Sequence, residues 1–164
     1  MRKLLTGDCH DDNIFHLVDP TAFVEIDFEA EVVKALTCLL PDYQCGVFAG
    51  TFLLEGERRT ADLALVHKSL LHWFVVEVEL AGHSLEGHVL PQVRCFRYGD
   101  PLASCAEMLR DAIPQMDYAR AVSFLQYIPR SVLVVVNRSS AEWRSCFKGL
   151  DVQMVTVSVY SRDD

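Results

Sequence analysis

Three acidic residues stand where the surrounding sequence is apolar: Asp62 in Ala61-Asp62-Leu63-Ala64-Leu65-Val66, and Glu77 and Glu79 in Phe74-Val75-Val76-Glu77-Val78-Glu79-Leu80. Strands bury apolar side chains, so a carboxylate inside one needs a reason. The period of two along a strand puts Glu77 and Glu79 on one face and Val76 and Val78 on the other. The connection His67-Lys68-Ser69 is short enough to require antiparallel pairing of the two runs, which brings Asp62 near the glutamates. Three converging carboxylates repel, and each raises the others' affinity for protons. A divalent cation relieves that repulsion. Hard oxygen ligands at a few fixed positions, with water completing the shell, suit Mg²⁺ or Mn²⁺, and such an ion activates water and stabilises charge on a phosphate in transfer. The competing reading is an exposed sheet edge whose solvated acids discourage edge-to-edge pairing.

The elements that must position these residues follow from periodicity and punctuation. Asp27 can cap a helix running to about Leu40, stopped by Pro41, with Phe28, Val32, Leu36 and Leu39 on its apolar stripe and Glu29 at the stripe's edge. Three strand-like runs follow, Gln44 to Leu54, Thr60 to Val66 and Leu71 to Leu80, separated by Glu55-Gly56-Glu57-Arg58 and His67-Lys68-Ser69, which reads as an antiparallel meander. After Ala81-Gly82-His83, residues 84 to 98 read as helical, most firmly from Pro91. Helices at about 103 to 112 and 116 to 127, a buried strand at 131 to 136, a helix capped by Ser139 or Ser140 through Lys148, and a strand from Val152 to Val159 complete the chain. The expected order is α-β-β-β-α-α-β-α-β.

Asp62, then Glu77-Val78-Glu79 fifteen residues on, preceded by an acidic amphipathic helix and followed by a helix bearing Gln92, resembles the PD-(D/E)XK nuclease superfamily. That resemblance implies a restriction-endonuclease-like α/β fold, with an α-β-β-β-α-β core over about residues 27 to 137, a mixed central sheet flanked by helices, and an extra C-terminal helix and strand. It implies Asp62 and Glu77 as metal ligands, the Val78 carbonyl as a possible third, Glu29 as the acid of the first helix, and Gln92 beside the site. Glu79 occupies the place usually held by Lys, and cannot supply its positive charge. Members with E-x-E give the second Glu the role of base or second-metal ligand, and Lys68 or Arg94 are candidate substitute cations. The stretch from His83 to Val93 is similar to Shedu-type anti-phage defence nucleases. Together these imply a Mg²⁺- or Mn²⁺-dependent endonuclease hydrolysing phosphodiester bonds of double-stranded DNA, with Arg94 and Arg97 as candidate phosphate contacts.

Length and composition bound the remaining choices. A chain of 164 residues, 51% hydrophobic and 23% charged, fits one compact domain spanning 1 to 164. No run of about 18 apolar residues occurs and the N-terminus turns acidic, so we expect no membrane partner and a cytoplasmic location. Fifteen Lys and Arg stand against 23 Asp and Glu, a net charge of -8, so a polyanion would need a local basic patch, for which eleven of the fifteen being Arg is permissive. Six scattered cysteines without a C-x-x-C pair read as reduced thiols. His83 and His88 are five apart, out of phase on an α-helix face, which argues against a zinc pair. Cys9-His10-Asp11-Asp12 with His16 could bind a metal adventitiously. Trp73, Trp143 and the phenylalanines read as packing. No serine-hydrolase, P-loop or dinucleotide motif is present. The rival class is a catalytically degenerate domain of the same fold that binds a protein partner. Homo-oligomerisation suits the nuclease, since cutting both strands with one site per chain calls for two chains.

Overall fold

The computed structural model of the chain describes residues 3–5 and 14–162. In chain order, β1 (Lys3–Leu5), β2 (Ile14–Leu17) and a 3-10 turn (Pro20–Ala22) lead to α1 (Glu25–Leu39). Then come β3 (Tyr43–Val47), β4 (Thr51–Leu54), β5 (Glu57–Thr60), β6 (Leu63–His67) and β7 (Trp73–Glu79). A π-helical turn (Leu85–Val89) runs into α2 (Leu90–Tyr98), followed by β8 (Asp100–Pro101), α3 (Ser104–Ala112) and α4 (Tyr118–Tyr127). The chain closes with β9 (Arg130–Val136), α5 (Ala141–Lys148), β10 (Val152–Thr156) and β11 (Tyr160–Arg162). The fold is mixed α/β around a five-stranded sheet of order β10-β9-β7-β6-β3. β6 pairs antiparallel with β3 and β7, whereas β9 is parallel to both β7 and β10. Two small sheets, β1-β2-β11 and β5-β4-β8, flank it.

The pleat sorts the core into two. Leu63, Leu65, Val76, Val78, Leu133 and Val135 face α1, meeting Phe28, Val32 and Leu36. Ala64, Val66, Val75, Val132, Val134 and Val136 face the opposite way, where residues of α2, α3, α4 and α5 cover them. Both faces of β9 are therefore dry, which is why Val132 to Val136 read as an uninterrupted apolar run. Trp73 and Trp143 are buried in the second cluster, as packing. Cys95 and Cys105 are buried thiols, and the cysteines among the described residues are free. Among the described residues no helix is long and apolar enough to cross a membrane.

Several expected boundaries shift. The helix begins at Glu25 rather than after an Asp27 cap, with Val24 at the N-cap and Glu25 and Asp27 in the first turn, where carboxylates favour the helix dipole. The expected strands 44 to 54 and 60 to 66 each divide in two. Their inner parts, β3 and β6, stay in the main sheet, and their outer parts, β4 and β5, form a hairpin that leaves it. The bend is made by Ala49, in the left-handed region at φ 45°, and by Gly50, where a Cβ would lie 2.2 Å from the Phe48 ring. Glu57 and Arg58 belong to β5, and the hairpin turn is Glu55-Gly56, both at positive φ. The third strand starts at Trp73 and ends at Glu79, the fourth helix starts at Tyr118 behind an Asp117 cap, and the last expected strand ends at Thr156.

One polar residue fixes the end of the sheet nearest the glutamates. Asn137 is 6% exposed; its Oδ1 accepts from the Ala81 N–H at 3.0 Å, and its Nδ2 donates to the Pro20 carbonyl at 2.8 Å. It thereby ties the segment after β7 to the approach to α1. Asn137→Ala leaves a half-buried N–H and a half-buried carbonyl unpartnered, and is expected to cost about 2 kcal/mol. Urea denaturation checks this, and a loss under 1 kcal/mol would show that the tie is dispensable.

Candidate metal centre

Asp62 lies just before β6, and the register of β6 on β7, with Leu63 opposite Val76, sets it opposite Glu77. Its backbone carbonyl accepts from Phe48 N–H at 2.8 Å, and its Oδ2 accepts from Val78 N–H at 2.8 Å. Asp62 is thus fixed by main chain at both its backbone and its carboxylate. Glu77 is 2% exposed and Glu79 1%. The pleat that turns Val76 and Val78 toward α1 turns both glutamates toward the turn and helix that follow β7, in the file of Trp73 and Val75.

That helix meets them with a matching ruler. Gln92 Nε2 donates to Glu77 Oε1 at 2.5 Å, and His88 Nε2 lies 3.4 Å from Glu79 Oε1. Four residues of helix rise about 6.0 Å and two residues of strand about 6.6 Å, so one turn of the helical segment spans the step from Glu79 to Glu77. His83 Nδ1 completes the second contact, 2.5 Å from Glu79 Oε2. The imidazoles of His83 and His88 pack edge-on at 5.2 Å between centroids.

The electrostatics show what the pocket lacks. Burial, more than any neighbour, pushes the Asp62 carboxyl up to about 6, with Glu29 and Glu25 adding and the Val78 N–H opposing. Glu77 is raised well above the usual range by burial, then by Asp62 and Glu79. Glu77 Oε2 is buried with no donor facing it among the described residues, and so is the Gln92 Oε1. Another acid, Asp62, acts on the Glu77 side chain at close range. A cation, a shared proton or a bridging water can join two such acceptors, and of these a cation also offsets their charge. Hard oxygen donors in this disposition fit Mg²⁺ or Mn²⁺. Glu79 differs: burial raises its carboxyl, and His83 and His88 pull it back.

The structure brings together Asp62, Glu77, the Val78 backbone and Gln92, with Glu79 one step along the strand. Glu29 stands at the rim, half-buried, its carboxyl raised by burial and by Glu25. Glu25 joins this acidic rim and acts on Asp62, Glu77 and Glu79 as well. The basic candidates are not gathered there. Lys68 is exposed in the turn after β6, at the opposite end of that strand from Asp62 and roughly 20 Å along it. Arg94 is exposed about 200° round α2 from Gln92, over a cleft it shares with Glu55, Glu57 and Glu86. Arg97 pairs with Asp151 at 3.3 Å.

The residues whose spacing argued against a shared role in the sequence are His83 and His88. Their spacing of five is out of phase on an α-helix, but the turn is π-helical: both Val89 and Leu90 N–H bond five residues back, to Ser84 and Leu85. The signal available was that spacing itself, placed between a strand glutamate and Pro91. Cys9, His10, Asp11 and Asp12 lie outside the described residues. The chain matches no protein-family model, no curated protein and no solved structure.

Proposed function

We propose that this chain is a metal-dependent deoxyribonuclease with a restriction-endonuclease-like core, hydrolysing phosphodiester bonds of double-stranded DNA in restriction or phage defence. The observation that carries the reading is the Asp62–Glu77 pair, Asp62 half-buried and Glu77 buried with an orphan carboxylate oxygen, at the C-terminal end of β7, where Gln92 touches it. The order α1, β3, β6, β7, α2, β9 supports it, since this is the α-β-β-β-α-β succession of that superfamily. Asp62, Glu77 and the Val78 carbonyl would hold Mg²⁺ or Mn²⁺, with Glu29 at the edge. Such an ion supplies a polarised water and a counter-charge for the phosphate. Gln92 orients the Glu77 carboxylate through its amide N–H. Glu79 takes the place of the usual Lys. Its contacts with His83 and His88 set two imidazoles one strand step from the Asp62–Glu77 pair.

One observation favours the rival reading, a non-cleaving domain that binds a protein partner. Arg94, Arg97 and Lys68 do not converge on the carboxylates, and the protein's net charge is -8. Incubation of supercoiled and linear double-stranded DNA with Mg²⁺, then Mn²⁺, at low salt separates the two. The nuclease cuts, and Asp62→Asn does not. Intact DNA with both ions, together with no metal binding by calorimetry, would leave the interaction domain.

A further inference from the structure

We propose that Glu79, His83 and His88 form a second metal site, selective for a borderline transition ion such as Zn²⁺ and separate from the Asp62–Glu77 pair. One ligand atom from each of the three lies within 4.8 Å of the others. The proposal does not rest on the nuclease reading.

The donor set decides the class of ion. Two imidazole nitrogens and one carboxylate oxygen are the three-ligand set of an open zinc site, with a fourth position left for water or substrate. Mg²⁺ prefers oxygen donors throughout, so the two neighbouring sites differ in selectivity. They also differ in place. Glu77 and Glu79 are two residues apart on one strand face, about 6.6 Å between backbones, whereas a pair of ions sharing one phosphate stands about 3.5 to 4 Å apart.

The distances fit. Tetrahedral ligands at about 2.0 to 2.1 Å from zinc stand about 3.3 Å from one another. His88 Nε2 and Glu79 Oε1 are 3.4 Å apart, so an ion bonds both with little movement. His83 Nδ1, at 2.5 Å from Glu79 Oε2, is close enough to share a proton. His83 and His88 contact different oxygens of the same carboxylate, so for an ion to replace that proton the His83 ring shifts, and being about a third exposed it has room to do so. Three further features indicate a built site. Glu79 is 1% exposed, and both its oxygens face imidazole nitrogens rather than water. The π-helical turn that places His88 spends regular helix geometry on doing so. Finally, His83 lines an open cleft of about 470 Å³ with Ser84, Glu86, Arg138, Ser140 and Glu142, which gives the ion a way in from solvent.

The test is Zn²⁺ titration of the metal-stripped protein by calorimetry in excess Mg²⁺, repeated with Co²⁺, whose visible absorption reports nitrogen ligation. One Zn²⁺ is expected to bind per chain with a Kd of about 1 μM or tighter. His83→Gln and His88→Gln should each weaken it at least ~10-fold, and the double variant should lose both the heat and the Co²⁺ band. Both rings are partly exposed, so these variants are expected to fold, which circular dichroism verifies; Glu79→Gln provides a third route to the same loss. Asp62→Asn should bind Zn²⁺ like the wild type even where it cuts no DNA, which separates this site from the proposed nuclease centre. Absence of Zn²⁺ binding at ten micromolar, or undiminished binding by the folded double variant, would overturn the proposal.

Discussion

Glu77→Gln is expected to lower Mg²⁺-dependent DNA cleavage at least ~1,000-fold and, in the same protein stripped of metal, to raise thermal stability above that of the wild type. The first effect corresponds to about 4 kcal/mol of transition-state stabilisation, the scale for losing a ligand to a catalytic ion. The second follows from burial. Glu77 is 2% exposed beside Asp62, and an amide there keeps the contact with Gln92 while donating an N–H to the acid it otherwise repels. The pH dependence has a definite sign. Both acids are raised in the folded protein, so the folded state holds protons that the unfolded chain has released, and stability falls as pH rises through that window. For Asp62 the window runs from 3.8 to about 6 and is worth on the order of 3 kcal/mol. Metal-free wild type should therefore melt at higher temperature at pH 5 than at pH 8, and Glu77→Gln should flatten the difference. Mg²⁺ should restore the wild type at pH 8 and do nothing for the variant. A variant less stable than the wild type in chelator at pH 8 would mean that Glu77 is satisfied by the protein alone.

The largest purely structural loss is expected from Arg130→Met. Arg130 opens β9, and its guanidinium donates to the carbonyls of Phe96 and Gly99 at the C-terminal end of α2 while lying 5.0 Å over the Phe52 ring. One side chain thus closes the helix that carries Gln92, satisfies carbonyls the helix leaves open, and joins the small β5-β4-β8 sheet to the main one. Methionine keeps the aliphatic bulk and loses every donor. A cost of about 3 to 4 kcal/mol is expected, or roughly a 10 °C fall in melting temperature for a domain of this size. Arg130→Lys recovers only part of it, because a single ammonium cannot reach both carbonyls in a fork. A methionine variant within 1 kcal/mol of the wild type would show that water replaces the guanidinium there.

What was legible in the sequence was whatever depends on local periodicity. The Phe28, Val32, Leu36 stripe, the alternation through β7, and the unbroken valines of β9 each follow from one burial pattern. The antiparallel return at His67-Lys68-Ser69 carried enough information to bring Asp62 near Glu77 and Glu79, and the register then sets it opposite Glu77. The features that escaped depend on contacts distant in sequence. Ala49 has no intrinsic reason to adopt positive φ; it does so because Phe48 and Phe52 both bury in the same cluster and the chain must fold back between them. Val24 is a poor N-cap by type, and α1 starts there because packing of Phe28 fixes its phase. Arg94 and Arg97 looked alike as exposed cations, yet Asp151, 54 residues from Arg97, gives the latter a partner.

The π-helical turn makes chain length part of the site. Compared with ordinary winding it contains one additional residue, equivalent to a rotation of about 100° between the side chains before and after it. Connections after strands commonly accept a gained or lost codon without harm. Between Glu79 and Gln92 that freedom is absent. Deleting one residue, Gly87 for instance, would regularise the helix, but it would keep His83 on Glu79 or keep His88 and Gln92 on their carboxylates, never all three. In this stretch the reading frame of the helix is as strict a requirement as the identity of any ligand.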